Sequence, residues 1–380
     1  MSKHREMKRR KARSEKIVGG TACFVMGLAM FSGSLYMIYW NESRKDVSVV
    51  AKTSVVIDAG NPAANRVENE KLVSATGQLT SGKTIGDGLY LKPDNYIATQ
   101  RVVEMYAWKQ VKREKKNSSD ESSGKKTTYS YSKKWMREPD MSDRFKYAEG
   151  HHNPPKAIDD AETRAEDAKV GAYSFDMAVV ELPSYKKLTL TNENTTIKGG
   201  AALADSDYIF KGEGSLSSPE IGDLRIGYKI IESGRMATIM GKLDNDRVTS
   251  YDAGEYGKIF RIFDGTKESA VGALHKEFLL RLWGFRAGAL ALMWMGISLM
   301  IGPLTVSMNI MPADGAKGRV VIGFAAFIIS LVLSAAAIIV SGGVHSLTAL
   351  IPVLAGGIAL VLLTFALFKI ASSKRKATPA

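Results

Sequence analysis

Long uncharged apolar runs occupy the two ends of this chain, and a polar stretch with short alternating segments lies between them. From Ile17 to Trp40 there are 24 residues without a charge, from Ala287 to Ala313 there are 27, and from Val320 to Phe368 there are 49. A hydrocarbon core about 30 Å thick takes roughly 20 helical residues, so the first two runs each span once and the third is long enough to span twice. The third run divides at Ser341-Gly342-Gly343-Val344-His345-Ser346, the one stretch in it with turn chemistry and a titratable side chain. Pro303 and Pro312 mark the end of the second span, because proline removes a backbone donor and tends to stop a helix.

Within the polar stretch, Arg101 to Val111 and Thr127 to Trp135 alternate with a two-residue period and carry β-branched and aromatic residues, which predicts a hairpin. Residues 112–126 between them are Lys, Glu, Ser, Asn and one Gly, a composition that buries no apolar surface and predicts a loop. Leu72 to Leu79, Met177 to Leu182, Leu188 to Leu190, Leu224 to Ile231, Met236 to Leu243 and Lys258 to Phe263 read as further strands, and Ile158 to Lys169 as a helix with acids around it. Residues Leu274 to Arg286 interleave large apolar side chains with His275, Lys276, Arg281 and Arg286. Two readings fit that segment: a helix lying among lipid headgroups, or the wet first turns of a long span.

The net charge of +13 would point to nucleic acid in a soluble protein, but its location argues otherwise. Residues 1–16 carry +6, the tail from Lys369 carries +4, the connection around Asp314, Lys317 and Arg319 carries +1, and the Lys276–Arg286 segment carries +2, which leaves residues 41–275 neutral. Basic flanks mark the cytoplasmic side of spans, so the charge is explained by topology without nucleic acid. The resulting plan is a four-span α-helical transmembrane bundle with a mostly β (α+β) extracytoplasmic domain. It runs from a cytoplasmic N-terminus (1–16) through a first span (17–40), the domain (41–278), an interfacial entry and second span (279–303) and a cytoplasmic loop (304–319). A third span (320–341), a fourth (347–368) and a cytoplasmic tail (369–380) complete it. The first span is longer than a signal-peptide core and ends in Tyr36, Tyr39 and Trp40, an interface belt, so it reads as an uncleaved anchor.

The only cysteine, Cys23, lies in that anchor, which excludes a disulfide framework or cysteine-ligated metal in the domain. His151 and His152 are adjacent and read as loop residues rather than ligands. Asp159, Asp160, Glu162, Glu166 and Asp167 lack the spacing of a calcium loop. Nucleophile-elbow, phosphate-loop and zinc-protease signatures are missing, and Gly212-Glu213-Gly214-Ser215 is only half of a dinucleotide loop. No catalytic residue, cofactor or metal is expected, and the chain is read as a non-enzyme. The span cores hold no ionic side chain, which argues against ion transport. Sequons stand at Asn41, Asn117 and Asn194, the first too near the membrane to be a good acceptor.

Several strings, taken in order, resemble one family. They are Asn41-Glu42-Ser43-Arg44, Val103-Glu104-Met105-Tyr106-Ala107-Trp108, Tyr129-Ser130-Tyr131 with Trp135, and Gly150-His151-His152-Asn153-Pro154. Pro219-Glu220-Ile221-Gly222-Asp223-Leu224-Arg225 and Trp283-Gly284-Phe285-Arg286-Ala287-Gly288 leading to Met295-Gly296 follow. Together they are similar to the LUMA family, also called the transmembrane protein 43 family, over nearly the whole chain. The resemblance implies a membrane organiser rather than a catalyst. Animal members lie in the endoplasmic reticulum and inner nuclear membrane, self-associate, and contact emerin and lamins; related proteins also occur in bacteria. The strongly basic N-terminus and the Lys/Ser-rich segment 112–126 depart from the animal members.

The expected function is a self-associating membrane scaffold acting on membrane or envelope partners through its domain, with an extracytoplasmic sensor or ligand-binding module as the alternative. Emerin- and lamin-type partners apply only to a eukaryotic chain; the absence of an obvious eukaryotic low-complexity arm tilts the reading toward a bacterial cytoplasmic membrane. Candidate partner contacts are Tyr106, Trp108, Tyr131, Trp135 and Trp283, since aromatic side chains supply contact area at low entropy cost. A packed face is the other reading of the first four. Small residues at four-residue spacing mark candidate helix packing at Ala29 and Gly33, Gly284 and Gly288, Ala326, Ser330 and Ser334, and Ala355 and Ala359. Packing within one chain is favoured over a seam between copies for any given pair.

Overall fold

The computed structural model describes residues 2–115, 126–307, 316–344 and 347–376. Along the chain, α1 (Ser2–Glu42) and α2 (Val47–Lys52) lead into β1 (Val55–Asp58), β2 (Leu72–Thr80), the long strands β3 (Tyr96–Lys115) and β4 (Lys126–Met136), and β5 (Ala161–Arg164). The short strands β6 (Lys169–Val170), β7 (Tyr173–Ser174), β8 (Lys186–Lys187), β9 (Ala201–Leu203) and β10 (Ile209–Lys211) precede β11 (Leu224–Glu232) and β12 (Arg235–Asp244). Next come β13 (Arg247–Thr249), β14 (Tyr251–Asp252), β15 (Lys258–Ile259) and β16 (Arg261–Asp264), then the helices α3 (Lys267–Ser307), α4 (Ala316–Val344) and α5 (Ile351–Lys376). Contacts divide the chain into a helical unit, Met1–Val47 with Ala273–Ala380, and a β-rich unit, Ser48–Gly272.

Among the described residues of the helices, three stretches are long and apolar enough to cross a membrane: Gly20–Lys52, Lys267–Ile301 and Gly323–Val344. The apolar stretch Thr348–Leu363 is shorter. Helix α4 runs on through Gly342 and Gly343 to Val344, so these glycines do not end it as the sequence reading expected; a 3-10 turn, Leu347–Leu350, precedes α5, and His345 and Ser346 lie outside the described residues. Pro303 does not end its helix, contrary to the sequence expectation, because α3 runs on to Ser307. One lost amide near a helix end is tolerated in a membrane helix. Pro312, and residues 308–315 of the expected cytoplasmic loop, lie outside the described residues. The Trp283 segment is part of α3 with no turn between it and the apolar stretch, as in the long-span reading.

Phe31 of α1 is the centre of the helical core, fully buried with Ile297, Met300, Leu333 and Val361 in one cluster. A Cβ on Gly357 would lie 2.4 Å from the Phe31 ring, so only glycine leaves room for it there. One turn from Phe31, α1 and α3 meet backbone to backbone: a Cβ on Gly27 would lie 2.6 Å from the Gly296 carbonyl, and one on Gly296 would lie 2.8 Å from the Gly27 carbonyl. Gly296→Leu is therefore expected to destabilise the bundle by about 1–3 kcal/mol or more through overpacking. Gly284→Leu, with nothing within 4 Å of its Cβ position, leaves stability unchanged. Thermal melting of the detergent-solubilised chain separates the two.

In the β-rich unit, β2 pairs with β6 and β12, β12 with β13, β13 with β7, and β7 with β6, so five strands close into a ring. β1 extends it in parallel on β2, and β16 lies antiparallel on β12. Closure removes the free edges that short strands would otherwise expose. Its interior is Val73, Ala75, Leu79, Val170, Tyr173, Ile239, Leu243 and Val248.

A second sheet runs β4-β3-β11-β10-β9, with β5 on β3 and β8 on β11. β3 is its splint: Tyr96–Met105 pairs with β11, while Met105–Lys115 pairs with β4. The alternating pattern of 101–111 explains this, since Val103, Met105 and Ala107 are buried with Ile226, Tyr228 and Ile230 on one face. The hairpin is as the alternation predicted; of the expected loop, residues 112–115 extend β3, Lys126 begins β4, and 116–125 lie outside the described residues.

Three sequence expectations fail here. Residues 158–169 form no helix: Ala161–Arg164 pairs with Arg101–Ala98 of β3, because a strand partner distant in sequence outweighs local helix propensity. Met177–Leu182 is a turn, with the Val179 and Val180 amides donating to the Asp176 carbonyl and Glu181 bridging to Arg261. Lys186–Lys187 is the strand where Leu188–Leu190 was expected.

Candidate functional site

The face of the hairpin opposite the core carries the aromatic residues singled out in the sequence. Tyr106 and Trp135 are directly opposed across β3 and β4, with ring centroids 5.3 Å apart. Arg225, opposite Glu104 on the neighbouring strand and bonded to it at 2.7 Å, lies 4.9 Å from the Trp135 ring and 4.8 Å from the Tyr208 ring. Phe210 meets the Trp135 edge. Farther along, Lys133 sits 4.8 Å over Trp108. Tyr131 stacks on His151 at 3.8 Å, and His151 meets Trp108 edge-on at 4.7 Å. All four candidate residues are half-buried, so they form neither a sealed core nor a bare patch. They line a continuous row of alternating aromatic and cationic groups, the arrangement that cation–π attraction favours.

Asn153, which the histidine pair overshadows in the sequence, positions this row. β11 begins only at Leu224; upstream of it the Tyr106 amide donates to the Asp223 carbonyl and the Gly222 amide donates to the Tyr106 carbonyl. One residue pair farther, the buried Asn153 side chain replaces a strand: its Oδ1 accepts from the Trp108 amide at 2.7 Å and its Nδ2 donates to the Trp108 carbonyl at 2.9 Å. The Tyr131 hydroxyl donates to Gln110 and accepts from the Tyr147 amide, which holds residues 145–147 against the hairpin. His151 is thus packed between rings, while His152 is exposed.

Three of the acids expected on a helix face, Asp160, Glu162 and Asp167, are instead held by side-chain and amide donors. Asp160 accepts from the Val103 amide, Arg137 and Lys156; Glu162 accepts from Arg164 and Tyr185; Asp167 accepts from Ser81 and the Gly82 amide. A further carboxylate, Asp87, carries no motif in the sequence. Asp87 is nearly inaccessible; its Oδ1 accepts from the Leu89, Tyr90 and Leu91 amides at 2.8–2.9 Å, and its Oδ2 accepts from Arg101 at 2.7 Å and from the Tyr228 hydroxyl. Its only signal is an Asp before a turn, Asp87-Gly88, which is common in loops.

Burial raises the Asp87 pKa, but the bonds from Tyr228, the Leu89 and Leu91 amides and Arg101 outweigh it and hold the carboxyl below its ordinary value. Asp160 follows the same logic: burial raises it, and the Val103 amide, Arg137 and Lys156 bring it below. A carboxyl depressed by folding contributes stability that is complete above its unfolded pKa, near 4, and disappears as pH falls through the lower folded value. Melting temperature should therefore be flat from neutral pH to about pH 5 and decline below about pH 4. The decline should be shallower in Asp87→Asn, as thermal melts across that range would show.

In the helical unit, the C-terminal end of α1 is joined to the middle of α3 by polar contacts. Arg286 donates from Nε and Nη2 to both oxygens of Glu42, at 2.8 and 2.7 Å, with the Glu42 side chain only 8% exposed. Asn41, itself buried, donates to the Leu282 carbonyl at 3.1 Å, which withdraws its sequon from the surface. His275 Nδ1 lies 2.7 Å from Asp46. Arg44 covers the rings of Trp40 and Phe285 at 5.4 and 5.6 Å. Trp283 is 62% exposed, with Arg286 over its ring.

Of the candidate packing residues, Ala326, Ser330 and Ser334 are buried on α4, where the Ser334 hydroxyl donates to the Met293 sulfur of α3 at 3.4 Å. Gly284 has open space around it, Gly288 meets only the tip of Met37, and Ala29, Gly33, Ala355 and Ala359 are exposed. The closest approach of α1 and α3 is at Gly27 against Gly296, and neither glycine has a Gly, Ala, Ser or Thr four residues away to mark it in the sequence.

The family model described as "Transmembrane protein 43" matches residues 105–347. The chain is 25% identical over 368 residues to transmembrane protein 43 of Homo sapiens and of Pongo abelii, which covers 92% of this chain and 90% of each relative. The protein of the same name from Rattus norvegicus is 25% identical over 367 residues, with the same coverage. No solved structure matches. The matched stretch runs from the aromatic hairpin, through the second sheet and the α1-facing part of α3, to the end of α4, well over half of the chain, and the integral membrane protein described here belongs to the transmembrane protein 43 family.

Proposed function

We propose that this chain is a non-enzymatic, multi-pass membrane scaffold that self-associates and organises membrane or envelope partners through its β-rich unit. Four helices cross the bilayer in this reading, with α5 as the fourth, both termini on the cytoplasmic side and the β-rich unit on the other. The observation that carries the reading is the aromatic and cationic row on the hairpin, half-buried and fixed in place by Asn153. Its tyrosines, tryptophans and Arg225 are residue types enriched at protein interfaces.

Two further features support it over a sensor or an enzyme. A cleft of the β-rich unit, about 430 Å³, is open and lined largely by polar side chains such as Lys92, Asp94, Glu193 and Glu232, unlike the enclosed apolar pocket that a small ligand prefers. Asp87, Asp160 and Asp223 are each consumed by amide or guanidinium donors, which leaves them poorly placed for proton transfer. The test is the mass of the nanodisc-embedded chain. A defined oligomer supports the scaffold, whereas a monomer that carries a co-purified small molecule in the domain overturns it in favour of sensing.

A further inference from the structure

β4 is the outermost strand of its sheet, and the direction of its unpaired backbone groups follows from its neighbours. The amide and carbonyl of Tyr106 and of Trp108 point toward Asp223, Gly222 and Asn153, away from β4. Backbone groups alternate sides along a strand, so the odd-numbered residues of β3 bond to the even-numbered residues of β4, from Met136 down to Lys126. Thr127, Tyr129, Tyr131, Lys133 and Trp135 therefore aim their amides and carbonyls outward. Among the described residues none of these ten groups has a partner outside the sheet.

An open edge of this length is a template for another strand, and proteins commonly block such edges with lysine. Here Lys133 does not stand in the way: its ammonium is folded onto Trp108, over the face rather than across the edge. We propose that β4 is a self-association edge on which a second copy of this chain pairs, antiparallel, β4 to β4, joining two sheets into one. The inference rests on the self-association proposed above and names its surface.

The charges select the register. A two-fold axis at Tyr131 uses the whole of β4 and sets Tyr131 against its own copy, Tyr129 against Lys133, Thr128 against Lys134 and Thr127 against Trp135. No lysine then faces a lysine, and each Lys133 meets a tyrosine ring. Sliding the copies so that Lys133 or Lys134 meets itself costs like-charge repulsion and shortens the overlap. The same strand on both copies gives the closed, isologous contact of a dimer rather than an open chain. The absence of any acid on β4 makes an acidic extended segment of another protein the competing occupant.

Proline substitution tests this with an internal control. At Lys133 the lost amide is one that points outward, so Lys133→Pro leaves the β3–β4 ladder whole, as edge prolines do. At Ser132 the lost amide belongs to that ladder, so Ser132→Pro disrupts the hairpin. In nanodiscs, Lys133→Pro is expected to melt like the parent chain yet to weaken self-association roughly thirtyfold, from one lost hydrogen bond per copy. Tyr129→Lys, which sets two lysine pairs face to face in the proposed register, should also weaken it, and adding Lys133→Glu should restore it. A parent chain that is monomeric overturns this inference and the scaffold reading together. An oligomer that Lys133→Pro leaves intact, or one that an acidic peptide alone engages through β4, overturns this inference and leaves the scaffold reading standing.

Discussion

Asp87→Ala should destabilise the β-rich unit by about 3–5 kcal/mol, the usual consequence of stripping one partner from a buried charge pair. The Asp87 side chain is 2% exposed and that of Arg101 13% exposed, so the guanidinium cannot recover its lost partner from water. Three amides of the 89–91 turn and the buried Tyr228 hydroxyl lose their acceptor at the same time. For a unit of this size the loss corresponds to a melting shift on the order of 10 °C. Asp87→Asn keeps an oxygen for the amides and should fall between the two. An Asp87→Ala melt within 2–3 °C of the parent would show that water reaches this site.

Glu42→Ala should loosen the junction of α1 and α3 by a similar amount, about 3–5 kcal/mol, because Arg286 loses both of its carboxylate bonds in a confined place. The loss should appear in the stability of the detergent-solubilised chain and in protease sensitivity between residues 40 and 48. Exchanging the pair, Glu42→Arg with Arg286→Glu, distinguishes charge pairing from packing: recovery by the exchange identifies the ion pair as the cause. A failure of either single variant to destabilise would mean that the Gly27–Gly296 crossing and the Phe31 core hold the helices without it.

Much of this architecture was legible in residue order. Apolar runs located the helices, since an uninterrupted run of twenty residues has few other uses, alternation located β3 and β4, and the segments of β11 and β12 also read as strands. Elements decided by partners far away in sequence were not legible. β5 looks helical by its own residues and is a strand because β3 offers it backbone bonds. The ring of five strands depends on β6 and β7, each two residues long, which carry no periodicity to read.

At the candidate site, the aromatic residues were visible by type and by alternation, and the strand register brings Tyr106 to Trp135 and Gln110 to Tyr131. Asn153 and Asp87 were not visible, because a single polar residue in a loop gives no hint that its side chain will complete a sheet edge or bind five donors. Helix contacts were the weakest inference. Small residues recur throughout membrane helices, and only three-dimensional packing reveals that Gly27, Gly296 and Gly357 are the ones without room for a side chain.

The most direct test of the central claim is the sidedness of the β-rich unit relative to the two termini. In a Cys23→Ser background, single cysteines at Ser2, Ser217 and Ala380 can be probed in sealed vesicles with a membrane-impermeant thiol reagent. Four spans with an extracytoplasmic scaffold predict that the two termini react together from one side and Ser217→Cys from the other. Termini that label from opposite sides, or a Ser217→Cys that labels with the N-terminus, would contradict the four-span plan and remove the β-rich unit from the compartment where its partners are proposed to lie.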